Sequence, residues 1–374
     1  MIRRLYVHNF RCLENFELSL SSLSSVLLVG KNGSGKSTVA LALKIFQTIA
    51  RGTSRVGDLV KPKDLARGRK EVPMRFEIAV ELDDKVYEYS IAFELPEDFK
   101  ELRVREEKLI ADGVPIYTRE LAQVHLVRSN QSKEAEFRID WHVIALPIVQ
   151  QRSDGDPLVR FKEWLARMLI LKPIPSLIRG ESDHETLYPN NELTNFGAWF
   201  SHIVISFPPT YSRIAGYLEQ LMPDLKAINN PGVGKDSRSL VVDFFDNQQN
   251  SNGQKPLTLP FEDLSDGEKC FIICALVLAA NSAYGPLLCF WDEPDNYLAL
   301  SEVGHFVITL RASFQQGGQF IATSHNEQAI RSFSKDNTFV LSRRSHLEPT
   351  IVRPLSEVPV IGDLVDALIR DDVS

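Results

Sequence analysis

Gly30-Lys31-Asn32-Gly33-Ser34-Gly35-Lys36-Ser37-Thr38 follows directly on the unbroken apolar run Val26-Leu27-Leu28-Val29. A run with no polar alternation predicts a strand buried on both faces, as in a parallel sheet. On the other side of the loop, Val39, Leu41, Leu43, Ile45, Phe46 and Ile49 recur at helical spacing. The nine residues satisfy G-x-x-x-x-G-K-[ST] through Gly30, Gly35, Lys36 and Ser37. Each residue type has a physical reason. Glycines let the backbone turn its N–H groups inward as an anion nest, and the next helix adds its positive end. Lys36 can reach the β- and γ-phosphates of a nucleoside triphosphate, and the Ser37 hydroxyl can ligate Mg2+. The candidate nucleotide positions are therefore Gly30, Asn32, Gly33, Ser34, Gly35, Lys36, Ser37 and Thr38.

Composition bounds the rest. The chain has 374 residues, is 44% hydrophobic and 24% charged, and carries a formal net charge of −7. This is ordinary globular composition, with no global pull toward nucleic acid or anionic membrane. The longest strongly apolar run, Cys270 to Ala280, falls short of a bilayer span, and no apolar region follows the basic start. Cys12, Cys270, Cys274 and Cys289 form no C-x-x-C pair. Together these features lead us to expect a cytoplasmic protein that does not use a membrane.

Outward from the loop, alternation over the first 25 residues predicts two antiparallel strands meeting near Arg11–Glu14. A second alternating pair over Met74 to Phe93 predicts a hairpin turning at Asp83-Asp84, with more strands up to about Ile148. Residues 158–172 and 193–228 read as helical, 173–192 as loop, and 246–256 as a polar loop. Between them, residues 51–72 read as a basic loop, with seven Lys/Arg from Arg51 to Lys70. This stretch is either a solvated loop, a local DNA contact, or the source of an arginine (Arg51 or Arg55) for the nucleotide.

Three later features narrow the chemistry. The apolar strand Leu287-Leu288-Cys289-Phe290-Trp291 delivers Asp292-Glu293-Pro294. Asp292 is placed to hold Mg2+, and Glu293 to polarise an attacking water as general base. The strand Phe320-Ile321-Ala322-Thr323-Ser324 ends at His325, which can hydrogen-bond a γ-phosphate or can be a satisfied structural histidine. Leu264-Ser265-Asp266-Gly267-Glu268 opens an apolar helix, and Ser265 with Glu268 fits a capping box.

In that order, GKNGSGKS, LSDGE, LLCFWDEP, Asp295 and TSH resemble an ABC-type ATPase of the SMC/RecF/OLD group. The start Asn9-Phe10-Arg11 is similar to the opening of such heads. The nearest flavour is the compact bacterial AAA-family ATPase found in DNA repair and phage-defence operons. The match covers about residues 1–50 and 258–345, the middle only in outline. The resemblance implies an α/β fold: a P-loop head of mixed sheet with an antiparallel N-terminal subdomain, plus a mainly helical inserted lobe. Expected boundaries are 1–154 and 241–374 for the head and 155–240 for the lobe. About 225 residues separate Thr38 from Leu264, which is long for a transporter subunit and, without heptads, is not a coiled-coil arm.

The resemblance further implies ATP and Mg2+ as cofactors and two copies sandwiching two ATPs, as a homodimer or higher homo-oligomer. Lys36, Glu293 and His325 would act catalytically, with Ser37 and Asp292 on the metal. Ser265, Asp266, Gly267 and Glu268 of the opposite copy, together with Asp295, would complete each nucleotide site. A separate effector protein encoded nearby is expected. The alternative is a scaffold that grips and releases a protein partner without touching nucleic acid. Two departures stand out. The chain reads Asp295-Asn296-Tyr297-Leu298-Ala299-Leu300 where many relatives read E-N-G-L-H-P. The Q-loop glutamine is unassigned, Gln150 and Gln151 after an expected Val143–Val149 strand being candidates.

Overall fold

The computed structural model describes residues 1–127, 135–150, 155–245 and 257–358. Contacts divide the chain into two units, one of residues 1–168 with those from Phe333 on, the other Leu169–Ser332.

The first unit holds an eight-stranded sheet in the order Phe16–Ser19, Ile2–His8, Met74–Leu82, Lys85–Glu94, Arg103–Ala111, Val114–Glu120, Gln123–Leu126, Ala135–Arg138. Every neighbouring pair is antiparallel. The expected N-terminal pair and the 74–93 hairpin are both present. Asp83 and Asp84 have φ of 50° and 61°, the left-handed pair that a two-residue hairpin turn needs and short polar side chains tolerate. Met74–Leu82 alternates strictly between buried and half-buried, so one face looks inward. Helix Lys36–Ala50 lies in this unit, with the Phe46 ring edge-on to Phe76 at 6.3 Å and Tyr89 at 5.9 Å. Helix Pro157–Arg167 starts where the Asp156 carboxylate accepts from Leu158 N, and its Phe161 stacks on Tyr87 at 5.7 Å. Strand Ser25–Val29 is buried throughout and pairs in parallel with Thr338–Ser342, which pairs antiparallel with Ile351–Pro354.

The second unit centres on three parallel strands, Leu169–Leu171, Leu288–Asp292 and Gln319–Thr323, each buried along its length. Helices Asp266–Tyr284 and Leu300–Gln315 belong to it, and Trp291 meets Phe306 edge-on at 5.6 Å. Among the described residues, Asp266–Tyr284 has the length and composition to cross a membrane, yet 61% of its apolar window is buried within the protein. An apolar core helix meets the same criteria.

Three expectations are corrected. The helical reading of 158–172 ends at Arg167: Met168 takes φ −50°, ψ 138°, and Leu169–Leu171 is a strand beside Cys289–Trp291. The reading of 193–228 as one helical run breaks into Phe196–Ser206 and Thr210–Leu221, with Pro208-Pro209 between, and ends in strand Leu225–Asn229. Val143–Val149 is a series of turns. Gln150 is exposed after those turns, and Gln151 and residues 246–256 lie outside the described residues. Over 155–240, three helices of 11 or 12 residues outweigh strands of two to five. The contact units divide at Met168/Leu169 and Ser332/Phe333; we propose the 155–240 stretch as a lobe inserted into the head.

The turns at 143–149 are held by a buried charge. Glu107, with no exposed side chain, accepts from Ala145 N at 2.8 Å and Leu146 N at 2.9 Å. It also accepts from Tyr89 and Tyr117 hydroxyls at 3.0 and 2.8 Å, and pairs with equally buried Arg119 at 3.5 Å. Burial pushes both tyrosines well above their ordinary pKa, so they remain donors. Removing one partner of such a pair strands the other charge in the core. Glu107→Ala is expected to cost about 3–5 kcal/mol, read as a fall in melting temperature, whereas Glu97→Ala on the exposed 97–101 segment should leave the melt within experimental error.

Candidate nucleotide site

The loop after strand Ser25–Val29 is shaped by backbone angles that only glycine takes easily. Gly30 has φ 150°, and a Cβ there would lie 2.1 Å from Leu341 O. Gly35, at φ 107°, is the residue before helix Lys36–Ala50, and its Cβ would lie 2.7 Å from Thr350 Oγ1. No side chain caps this helix and no acidic residue sits in its first turn, so its positive end stays available for an anion. Lys36 Nζ donates to the carbonyls of Gly30 at 2.6 Å and Lys31 at 3.1 Å. Behind the loop, Thr350 Oγ1 donates to Ser34 O at 2.8 Å, Thr350 N donates to Cys12 O at 2.8 Å, and Cys12 Sγ lies 3.5 Å from Thr38 Oγ1. Buried Ser34 Oγ has no hydrogen-bond partner. An orphaned hydroxyl inside a glycine cradle at a helix start suits a phosphate ligand.

In the second unit, Asp292 and Glu293 stand at the C-terminal ends of parallel strands, where ligands bind in open α/β sheets. One hydroxyl organises them. Thr323 Oγ1 donates to Asp292 Oδ1 at 2.6 Å and accepts from Glu293 N at 2.9 Å. Asp292 Oδ2 pairs with Lys172 Nζ at 2.9 Å, which holds the lysine above its ordinary pKa. Glu293 adopts φ 55°. Its Oε2 accepts from Asn296 Nδ2 at 2.7 Å, and its Oε1 lies 3.8 Å from His325 Nε2. Asp295 is buried; Oδ2 accepts from Ser324 Oγ at 3.0 Å while Oδ1 has no partner, and burial raises its pKa.

Ser265 caps helix Asp266–Tyr284 as a capping box, accepting from Glu268 N at 3.3 Å while Glu268 Oε2 accepts from Ser265 N at 2.8 Å. A hydroxyl that accepts in this way still has a proton to donate. A Cβ on Gly267 would come within 3.2 Å of Tyr297 O, so the helix start lies against the segment after Asp295.

Within the second unit, then, Asp292, Glu293, Asp295 and His325 converge, with Ser265–Glu268 at a helix start; the 30–38 loop is formed in the first. Among the described residues no cluster of three or more His, Cys, Asp or Glu could hold a metal alone. Mg2+ takes hard oxygen donors and needs no such cage when phosphate oxygens complete its shell; the Ser37 hydroxyl and the Asp292 carboxylate are each donors of that type. The arginines of 51–70 are largely engaged. Arg51 Nε donates to Ala166 O at 2.9 Å, Arg55 pairs with Glu101 at 3.5 Å, and Arg67 and Arg69 share Glu14 at 2.6 and 2.9 Å. Four contributors escape sequence reading: Lys172, Thr323, Asn296 and Thr350. Lys172 had a visible signal, as the first charged residue after the apolar run Met168–Leu171.

A glycine-cradled loop between a buried strand and a helix, with Asp-Glu and Ser-His at the ends of two further parallel strands, defines an ABC-type ATPase head of the SMC/OLD group. The chain belongs to the family described as "AAA domain, putative AbiEii toxin, Type IV TA system", whose model matches residues 25–331. It is 47% identical over 45 residues to an OLD nuclease of Thermus scotoductus, a stretch covering 12% of this chain and 8% of that protein. In fold it is similar to an SMC head solved with the C-terminal winged-helix domain of ScpA, at TM-score 0.55 and 14% identity over 95% of this chain and 99% of that one. A Pyrococcus furiosus SMC head with an extended coiled coil, bound to the C-terminal domain of ScpA, gives TM-score 0.52 and 13% identity over 95% and 97%.

Thr323→Val keeps the shape of the bridging residue while removing its hydroxyl, leaving Asp292 Oδ1 and Glu293 N without it. Losing such buried hydrogen bonds costs about 1–3 kcal/mol, so the melting temperature should drop. Thr323→Ser, which restores the hydroxyl, should recover most of the loss; equal melts for the two variants would refute the bridge.

Proposed function

We propose that this chain binds Mg·ATP on residues 30–38 and hydrolyses it, dimerising around the nucleotide. The observation that carries this reading is the Thr323-bridged pair Asp292–Glu293 with His325 beside Glu293. Backbone N–H groups of the loop and Lys36 would bind the phosphates. Ser37 and Asp292 would hold Mg2+, which neutralises phosphate charge. Glu293 would take a proton from the attacking water, and Asn296 would orient its carboxylate. His325 would donate to the γ-phosphate. Ser265, Asp266, Gly267 and Glu268 of a second copy, with Asp295, would close the site over the nucleotide.

In the cell we assign this ATPase to DNA maintenance or anti-phage defence in the cytoplasm, acting through a separate effector protein. The toxin–antitoxin wording of the family and the 45-residue likeness to an OLD nuclease support that setting. SMC heads solved with ScpA domains support a protein partner on such a head. A second reading, an ATP-driven scaffold that never touches nucleic acid, is favoured by the net charge of −7 and by the engaged arginines of 51–70.

Glu293→Gln should bind ATP, fail to turn it over and accumulate as a dimer, because binding survives while the base is lost. Light scattering with ATP checks this; a variant that stays monomeric and still hydrolyses ATP sinks the model. If residues 51–70 contact DNA, affinity should fall steeply with salt, so a binding titration with a flat salt response removes DNA from the model and leaves the scaffold reading.

A further inference from the structure

Lys172 is the first residue beyond strand Leu169–Leu171, whose Leu171 lies opposite Trp291. Its backbone N–H is tied to Asn191 O at 2.7 Å, and its ammonium lies 2.9 Å from Asp292 Oδ2. The two side chains differ sharply in environment: Asp292 is 5% exposed and Lys172 is 56% exposed. A carboxylate as dry as Asp292 demands a compensating cation. Its other oxygen, Oδ1, already accepts from Thr323. Oδ2 is thus the oxygen a divalent cation would need, at about 2.0–2.1 Å for Mg2+, and it is the one the ammonium holds.

We propose that Lys172 is a built-in monovalent placeholder for the divalent cation: ammonium and metal exclude one another at Asp292 Oδ2. This rests on Asp292 being a metal ligand, as in the function proposed above. The residue type suits the role. Lysine carries a compact charge on a flexible four-carbon stem, and a head half in water can leave its partner at small cost. The anchored backbone keeps the stem within reach for its return. The bare protein therefore keeps Asp292 compensated and takes up little Mg2+ by itself. Metal enters together with the phosphates, whose charge adds to that of the carboxylate.

The test uses the full chain without nucleotide. Mn2+ binding is followed by the loss of the free-ion EPR signal, and melting is followed in EDTA and in Mn2+. Lys172→Gln should bind Mn2+ about three- to tenfold more tightly than the wild type. It should melt lower than wild type in EDTA and regain that loss in Mn2+. In an Asp292→Asn background the Lys172 substitution should no longer change the melt, which isolates the pair. Lys172→Met, which keeps the apolar stem, is the second variant should the first not fold. Equal or weaker Mn2+ binding in the folded variant, or no Mn2+ binding in any form, overturns the placeholder. ATP binding measured by fluorescence on the same preparations separates the two ideas. A wild type that holds no ATP sinks the proposed ATPase, whereas normal ATP binding with unchanged Mn2+ affinity sinks only the role of Lys172.

Discussion

A carboxylate at the end of a fully buried strand needs partners for both of its oxygens, and that demand organises this end of the second unit. Asp292 ends five consecutive buried residues, where ionisation is costly unless partners satisfy both oxygens. Thr323 supplies one and Lys172 the other. Both partners come from the ends of the adjacent parallel strands, so the register of the sheet is itself part of the site. Asp292 sits opposite Thr323, and Leu171 opposite Trp291 brings Lys172 level with Asp292. Slipping either neighbour by one residue would turn its polar side chain to the other face.

The first unit solves a comparable problem with another device. In the function proposed above, the loop of residues 30–38 must offer backbone N–H groups to phosphate, and such groups are expensive to leave without a ligand. Thr350 Oγ1 holds the loop through a carbonyl, that of Ser34, and so takes up none of its N–H groups. Farther along the same unit, Glu107 closes the turns at 143–149 by accepting the N–H groups of Ala145 and Leu146. Arg119 completes that closure by donating to Val143 O.

These devices explain what the sequence made legible. Strand Ser25–Val29, its glycine loop and the following helix announce themselves because burial, phosphate geometry and helical period each leave a local signature. The same holds for Asp292-Glu293, for His325 and for the Ser265–Glu268 capping box. The Asp83-Asp84 hairpin is equally local. Leu169–Leu171 was hidden because three apolar residues prolong the helical spacing of Leu158, Phe161 and Leu165, and the turn of Met168 to extended geometry leaves no composition signal. The turns of Val143–Val149 were hidden because two of their N–H groups, those of Ala145 and Leu146, are satisfied by a carboxylate far away in sequence, which no window of neighbours can see. The error at Leu169–Leu171 also concealed Lys172, since a lysine at the last position of a helix reads as a solvated end.

In the function proposed above, Glu293 shows why adjacent carboxylates can differ in role. Asp292 continues the strand and points into the sheet edge, where it is dry and doubly bonded. Glu293 takes φ 55°, a conformation that costs a non-glycine residue of order 1 kcal/mol or more. Its N–H donates to Thr323 Oγ1, which fixes that turn of the backbone. The reversal carries its side chain to 29% exposure, with Asn296 on one oxygen and His325 near the other. A metal ligand gains from burial because desolvation strengthens its attraction for a cation. A general base must instead reach a water molecule and pass its proton on. The same threonine hydroxyl that bonds Asp292 in the dry site thus also holds the strained residue that needs the wet one.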